Sequence, residues 1–262
     1  IGFSFPSDSD QTFKIYSEYL PNKTLMDALK DDELSDTMTP TQKTIIIYGI
    51  ASAMAYLHEK NIIHRDLKPE NVFLDEHLYP VLSDFGLSRI CNDDIAITTR
   101  VGTPYFMAPE LFFEESEENP ITNKIDVYAF SITLLSMFTT SYKFSGSQPR
   151  SINQLVNNIV KGKRYQIPSN VPKFYEDLIQ KCWVKDQSKR PSFKEIVEMM
   201  ENSKEFILDG ADEIKVYDFI KKVKNTDTLK DDELTKSNNI LDFSSSGDDI
   251  FADTEEFDFG GF

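Results

Sequence analysis

Residues 64–71 read His-Arg-Asp-Leu-Lys-Pro-Glu-Asn, and residues 84–86 read Asp-Phe-Gly. Either tripeptide, His-Arg-Asp or Asp-Phe-Gly, recurs by chance in unrelated chains, but the longer stretch followed by Asp-Phe-Gly a short hairpin later is a specific signal. Asp66 and Lys68 lie two positions apart, so in an extended loop their side chains turn to the same side. The stretch therefore predicts an organised polar site, not a coincidental loop of solvated charges.

Five shorter motifs follow in the sequence: Gly-Thr-Pro-Tyr at 102–105, Met-Ala-Pro-Glu at 107–110, Asp-Val-Tyr-Ala-Phe-Ser at 126–131, Cys-Trp at 182–183 and Arg-Pro-Ser-Phe at 190–193. In this order, and with the two motifs above, they resemble a eukaryotic-type protein kinase domain. The Lys-Pro-Glu variant of the first motif resembles the serine/threonine branch, and the last two motifs resemble the tyrosine-kinase-like group. The resemblance ends after about residue 200 and so covers roughly three quarters of the chain.

The resemblance implies an α+β fold that is mainly α with minor β, the protein-kinase-like fold. A helical C-terminal lobe would follow the last strands of the small lobe. Strands are expected at residues 1–5 and 13–16, and helices at 24–34, 40–60, 125–138 and within 151–200. Thr39-Pro40 is a favourable helix start, since proline is tolerated in the first turn.

We expect three parts along the chain: a kinase domain over 1–200, a helical appendage over 201–236 and an acidic disordered tail over 237–262. Within the domain, residues 1–16 would be remnant strands of the small lobe, 17–20 the hinge and 21–200 the large lobe. Apolar residues within 205–224 favour one or two amphipathic helices packed on the lobe.

The resemblance gives each polar residue of the first motif a role in moving a phosphoryl group from ATP to a hydroxyl. Asp66 resembles the catalytic base, and Lys68 would sit beside the transferring phosphate. Thr103 resembles the threonine that bridges these two residues. Asn71, which also belongs to the catalytic loop, and Asp84 would offer oxygen atoms to Mg²⁺, which prefers hard oxygen ligands. The expected cofactors are therefore ATP and Mg²⁺.

The same resemblance places the adenine site at the start of the chain. Ser17 matches the gatekeeper position, and the backbone groups of Glu18 and Leu20 would bind the adenine edge. Phe73 stands where the family usually has leucine as the floor of the adenine pocket. This departure would narrow the pocket. Lys68, Asn71 and Asp84 complete the expected nucleotide contacts.

Three structural contacts are also implied by the resemblance. His64 would pack against Phe85 and take no part in acid–base chemistry. Asp126 would hold the backbone of the catalytic loop. Arg190 and Glu110 would form an ion pair, and a buried pair of this kind is better evidence of a fixed geometry than of net stability.

The activation segment would run over residues 84–110. Thr98 or Thr99 is the expected phosphorylation switch, because Arg65 resembles the arginine that receives an activation-loop phosphate. A phosphate adds nearly two negative charges and strong acceptors, enough to order a loop against an arginine. The alternative, that the two threonines only keep the loop soluble, stays open.

The sequence contains neither the family's glycine-rich phosphate loop nor its lysine-bearing strand. We therefore expect a fragment of a serine/threonine protein kinase that lacks most of the N-terminal lobe. Alone it would bind ATP poorly and transfer phosphate poorly or not at all. The alternative is a non-catalytic, pseudokinase-like scaffold or binding module. The intact catalytic motifs favour the enzyme, and the absent lysine favours the scaffold.

Charge narrows the range of partners. The net charge is −16, from 44 acidic and 28 basic residues. An acidic surface disfavours nucleic acid and anionic membranes, so the expected partners are protein substrates with serine or threonine acceptors. The apolar stretch 125–138 is too short to span a membrane and carries Asp126. His58 and His77 are expected to be surface or packing residues, and zinc is not indicated.

Two further features concern compartment and tail. Cys91 and Cys182 are the only cysteines, and with no signal peptide they point to a reducing compartment, hence to a cytoplasmic protein. Residues 237–262 contain seven acidic residues and no lysine or arginine, with phenylalanines spaced among the acids. This composition is typical of disorder. A solvated tail without a specific role is the favoured interpretation, and a docking motif for a protein partner is the alternative.

Overall fold

The computed structural model describes residues 2–4, 14–16, 19–31, 38–84, 88–90, 103–113, 116, 120–139, 141, 143–144 and 148–237. Within them the fold is mainly α with a small amount of antiparallel β, which confirms the predicted class. Residues 1–223 form one compact unit and residues 224–262 a second. No helix in the described part of the chain is both long and apolar enough to cross a membrane.

Helices make up most of the regular structure. In chain order, the α-helices are α1 (Leu25–Lys30), α2 (Pro40–Glu59), α3 (Lys124–Ser136), α4 (Ile152–Val160), α5 (Lys173–Cys182), α6 (Phe193–Glu201) and α7 (Glu213–Ser237). Short 3-10 turns occupy Pro69–Asn71, Pro109–Phe112, Gln187–Lys189 and Lys204–Phe206.

Three antiparallel strand pairs accompany the helices in the described residues. They are β1 (Gly2–Ser4) with β2 (Lys14–Tyr16), β3 (Ile62–Ile63) with β6 (Arg89–Ile90), and β4 (Val72–Leu74) with β5 (Pro80–Leu82). In the β4–β5 hairpin Val72 faces Leu82. The connecting loop is closed by Asp75, whose carboxylate accepts from the backbone nitrogens of His77 and Tyr79 at 2.8 Å each. This hairpin begins directly after Asn71 and ends just before Asp84.

Helix α2 begins where the sequence predicts. Thr39 is the N-cap, its hydroxyl accepts from the backbone nitrogen of Gln42 at 3.3 Å, and Pro40 occupies the first turn. The helix ends at Glu59, one residue before the predicted end, and is buried on much of its girth. It packs against α6, and it leads into the loop that carries residues 64–71.

Helix α1 is shorter than predicted. Thr24 and Asp27 form a reciprocal capping box at its start. The helix ends at Lys30 because Asp31 has an extended backbone, with φ −83° and ψ 119°. The prediction of helix over 24–34 is therefore wrong at Asp31, and the residues after it lie outside the described part of the chain.

Helix α3 is the centre of the core. Every residue from Ile125 to Ser136 is buried, including Asp126. Two of its buried side-chain hydroxyls bond within the helix: Ser131 donates to the carbonyl of Tyr128 at 2.6 Å, and Thr133 donates to the carbonyl of Ala129 at 3.1 Å. The helix packs against α5. This packing fixes the position of its first turn, which lies next to the predicted catalytic loop.

The segment after residue 200 packs on α2 and on the β4–β5 hairpin. Phe206, Val216, Phe219 and Ile220 are buried. The Phe219 ring lies 4.7 Å from that of Tyr79, measured between centroids. One or two helices are predicted over 205–224, and the structure has a 3-10 turn at Lys204–Phe206 followed by α7 from Glu213. Gly210, at φ +82°, lies between them in the left-handed region that is unfavourable within a helix.

We predict that Phe219→Ala lowers the free energy of unfolding by about 3–5 kcal/mol, because it removes a buried ring from between α2 and the hairpin. The measurement is urea unfolding of the 262-residue chain. Tyr217→Ala is the matched control, since Tyr217 is 41 % exposed on the same helix, and it should change stability by less than about 1 kcal/mol. Equal losses in both variants would contradict the packing described for α7.

Candidate active site

The loop of residues 64–71, which the sequence predicts to be the catalytic loop, is anchored to the buried carboxylate of Asp126, which is 1 % exposed. Its Oδ2 accepts from the backbone nitrogen of His64, and its Oδ1 from that of Arg65, both at 2.8 Å. His58 Nε2 lies 2.9 Å from Oδ2. A buried charge is tolerated when hydrogen bonds satisfy it in this way. The same bonds hold Arg65 at φ 72°, an unusual conformation for a residue other than glycine.

Four polar side chains of the predicted site lie together. Lys68 Nζ is 2.6 Å from Asp66 Oδ2 and 2.9 Å from Thr103 Oγ1. The backbone nitrogen of Thr103 donates to Asp66 Oδ1 at 3.3 Å. Asn71 Nδ2 donates to Asp66 Oδ2 at 2.9 Å and to the Asp66 carbonyl at 2.8 Å. Asp66 is thus fixed from three directions, with its Oδ1 bearing the longest of these bonds.

The β4–β5 hairpin brings Asp84 next to Asn71. Both the backbone nitrogen and the hydroxyl of Ser83 donate to the carbonyl of Asn71, each at 3.0 Å. Asp84 follows directly, is exposed and has φ 58°. The Asn71 amide nitrogen is spent on Asp66, so its Oδ1 remains for a cation. An amide oxygen and an exposed carboxylate are donors of the kind that Mg²⁺ takes, so the chemistry of these two residues fits the implied metal.

The described residues contain no group of three or more His, Cys, Asp or Glu side chains that could hold a metal ion. A site with one carboxylate and one amide does not require such a group. His77 is exposed at the hairpin loop, and His58 is committed to Asp126. Neither histidine is therefore arranged as a metal ligand in this part of the chain.

Glu110 and Arg190 form a buried bidentate pair. The Nη1–Oε1 distance is 2.5 Å and the Nη2–Oε2 distance is 2.9 Å. Arg190 also donates to the carbonyls of Val184 and Lys124, at 2.9 and 3.0 Å. A planar guanidinium that donates hydrogen bonds from several of its nitrogens is held in one orientation. The pair therefore ties the segment that carries Thr103 to the base of the large lobe.

Tyr128 supports this pair. Its ring lies 5.2 Å from the Arg190 guanidinium carbon and 5.3 Å from that of Arg164, within the range of cation–π attraction. Burial raises the pKa of Tyr128 and lowers the pKa of Arg164. Nearby, Lys124 Nζ donates to the Arg190 carbonyl at 2.7 Å, and burial lowers the pKa of Lys124.

The remaining predicted residues are placed less completely. Leu20 and Phe73 are half-buried, and Phe73 pairs with Thr24 through an isolated antiparallel bridge. His64 is fully buried, with Nε2 3.1 Å from the Ser83 carbonyl. A further group of predicted site residues lies outside the described part of the chain: Ser17, Glu18, Phe85, Thr98 and Thr99.

Sequence reasoning missed three residues that contact the site or the turn beside it: His58, Ser83 and Tyr165, whose hydroxyl donates to the carbonyl of Tyr105 at 3.1 Å. The sequence predicts His58 only as a surface or packing residue, yet its ring contacts the anchoring carboxylate. Its one sequence signal is its position in the last turn of the helix before the catalytic loop. Ser83 precedes Asp84 directly and so is within reach of the motif. Nothing in the local pattern around Tyr165 distinguishes it from an ordinary core tyrosine.

Cys182 takes no part in chemistry. It is completely buried, and burial raises the pKa of its thiol to about 12. A thiol of this kind stays protonated at neutral pH and is inert as a nucleophile. The other cysteine, Cys91, lies outside the described residues.

Comparison with known proteins agrees with the geometry. The chain is 39 % identical over 184 residues to a probable serine/threonine-protein kinase of Dictyostelium discoideum. The aligned stretch covers 70 % of this chain and 19 % of the relative. It is 37 % identical over 193 residues to the RGS domain-containing serine/threonine-protein kinase A of the same organism. Here the aligned stretch covers 74 % of this chain and 16 % of the relative. The serine/threonine-protein kinase STY17 of Arabidopsis thaliana is 36 % identical to this chain over 155 residues. That stretch covers 59 % of this chain and 26 % of the relative.

The chain thus spans at most about a quarter of the length of these relatives. Residues 4–200 match the family model described as the protein kinase domain. That range contains the catalytic loop, the β4–β5 hairpin and the Glu110–Arg190 pair. The chain therefore belongs to the protein kinase family.

Proposed function

We propose that this chain is the catalytic part of a serine/threonine protein kinase of the tyrosine-kinase-like group, which transfers the γ-phosphate of ATP to a serine or threonine hydroxyl of a protein. The observation that carries the proposal is the contact of Asp66 with Lys68, Asn71 and Thr103. Phosphoryl transfer needs positioned groups and positive charge near the phosphate more than covalent chemistry.

Asp66 is the proposed base. Its Oδ2 already accepts two bonds, from Lys68 and Asn71, at 2.6 and 2.9 Å. Its Oδ1 accepts one longer bond, from the Thr103 backbone nitrogen at 3.3 Å. We assign the proton of the acceptor hydroxyl to Oδ1, because that oxygen has the freer lone pair. Lys68 is held beside it and lends positive charge to the transferring phosphate.

The nucleotide and metal would occupy the other side of Asp66. Mg²⁺, when bound, neutralises charge on the phosphate oxygens. The Asn71 Oδ1 and the Asp84 carboxylate would hold it. Leu20 and Phe73 would line the adenine pocket, together with Ser17 and Glu18.

The serine/threonine assignment rests on the Lys-Pro-Glu stretch at 68–70 and on Thr103, whose hydroxyl accepts from Lys68 at 2.9 Å. The names of the relatives, all serine/threonine-protein kinases, support this proposal. The tyrosine-kinase-like assignment rests on the motifs at 182–183 and 190–193. A cytoplasmic location and a protein partner for residues 237–262 also stay proposals.

Activity of the 262 residues alone is proposed to be low. They contain no glycine-rich loop and no matching lysine-bearing strand, the two features with which a protein kinase covers and pairs the phosphates of ATP. The competing function is a non-catalytic scaffold that retains the catalytic residues. Measurement of phosphate transfer separates the two.

We predict that Asp66→Asn lowers the rate of phosphate transfer on the order of 10² to 10⁴ fold, because it removes the positioned base. The assay uses radiolabelled ATP, magnesium and a generic serine/threonine substrate. Both this chain and a version extended upstream by whatever its gene encodes are compared.

The matched control is Asp218→Asn, an identical chemical change at an exposed position of α7, which should leave the rate unchanged. Activity that is lost in Asp66→Asn and kept in the control supports the kinase. A folded protein with no activity in either length of chain would favour the scaffold.

We also predict that changing both Thr98 and Thr99 to Ala lowers the activity of the active kinase, because no phosphate then orders the activation segment against Arg65. Adding Arg65→Gln to that variant should cause no further loss, since the two changes remove one interaction. Mass spectrometry of the activated protein reports the modified residue. Full activity of the double alanine variant would disprove the switch.

A further inference from the structure

Tyr165 links a buried part of the large lobe to the segment beside the catalytic loop. Its side chain is buried, with the residue 3 % exposed, and its hydroxyl donates to the carbonyl of Tyr105 at 3.1 Å. The two residues are 60 positions apart in the sequence. Tyr105 lies in the turn between Thr103 and Phe106, where the Phe106 nitrogen donates to the Thr103 carbonyl at 2.9 Å.

The position of Tyr165 is fixed by its surroundings. It pairs with Phe144 in an isolated antiparallel bridge, and the two rings lie 4.5 Å apart between centroids. Gln148 brackets Phe144, accepting from its backbone nitrogen at 3.2 Å and donating to its carbonyl at 3.1 Å. Arg164, the preceding residue, donates to the carbonyl of Trp183 at 2.7 Å. These contacts therefore fix the position of the Tyr165 hydroxyl.

The turn that receives this bond reaches the reacting groups directly. Thr103, two residues before Tyr105, accepts from Lys68 through its hydroxyl and donates to Asp66 through its backbone. The Tyr105 residue itself is 45 % exposed. The turn thus joins the proposed base, through Thr103, to the exposed side chain of Tyr105.

We infer that Tyr165 is a positioning residue for the protein substrate: its hydroxyl fixes the 103–106 turn so that the surface around Tyr105 meets the acceptor segment in one orientation. This inference rests on the proposed kinase function. Of the proposed ATP contacts, Asn71 and Asp84 lie outside this turn, and Ser83 ties Asn71 to the hairpin. Lys68 meets the turn through Thr103, but it is also held by Asp66 at 2.6 Å. Loss of the Tyr165 hydroxyl should therefore affect the peptide substrate more than the nucleotide.

The test is Tyr165→Phe, which removes one hydroxyl and keeps the ring. We expect KM for a threonine-containing peptide to rise about 2- to 10-fold, the range for loss of one hydrogen bond. KM for ATP should change less than about 2-fold, the smallest effect in that range. Amide hydrogen exchange at Tyr105 and Phe106 should be faster by a comparable factor, and this second readout needs no activity.

Tyr175→Phe is the matched control. Tyr175 is also buried and also donates its hydroxyl to a backbone carbonyl, that of Phe206, far along the chain from the site. That variant should lose stability but leave peptide KM and the exchange of residues 103–106 unchanged. The inference is overturned if Tyr165→Phe leaves that exchange and peptide KM at their wild-type values.

Failure of the proposed function gives a different result. A chain without phosphate transfer in any form yields no KM, yet exchange at residues 103–106 still reports whether Tyr165 holds the turn. Faster exchange in Tyr165→Phe alone then supports the positioning contact and leaves the kinase proposal to the Asp66→Asn assay. An equal increase in both tyrosine variants contradicts the inference, since it would mean a general loss of stability.

Discussion

The buried carboxylate of Asp126 is the constraint on which the catalytic site depends. It sits in the first turn of the most deeply buried helix, and it receives two backbone N–H groups and a histidine ring. A charge at this depth is unfavourable unless hydrogen bonds surround it, and a loop with Arg65 at positive φ is unfavourable unless something holds it. The carboxylate and the loop therefore stabilise each other, and the loop is held in place by its bonds to the buried helix.

A second anchor acts on the facing segment. Glu110 pairs with Arg190, and Tyr165 holds the turn that contains Thr103. The two separately anchored segments meet where Thr103 contacts Asp66 and Lys68. The carboxylate proposed as the proton acceptor and the Lys68 cation are thus positioned by parts of the chain that are distant in sequence. This arrangement suits a reaction whose rate depends mainly on the placement of charge.

The sequence predicted most of what is local. The motif at 64–71 placed the polar residues of the loop, and Thr39-Pro40 marked the start of α2, because both depend on neighbours in the chain. The sequence predicted poorly those features that depend on packing between residues far apart in the chain. His58 and Asp126 lie on two different helices, and the Tyr165 hydroxyl bonds to a turn 60 positions away, so both contacts arise only in the folded state. Likewise, the path between residues 205 and 213 depends on Gly210, whose positive φ the helical pattern does not reveal.

Amide hydrogen exchange at His64 and Arg65, compared between the wild-type chain and Asp126→Asn, tests the central claim most directly. Asparagine keeps the size of the side chain but replaces one accepting oxygen by a donor. Because hydrogen bonds to a charged group contribute about 1.5–3 kcal/mol each, exchange at these two amides should accelerate about 10- to 100-fold. Helix α6 should keep its protection in the same experiment. Unchanged protection at His64 and Arg65 in a folded variant would contradict the account, since the loop would then hold its shape without the carboxylate.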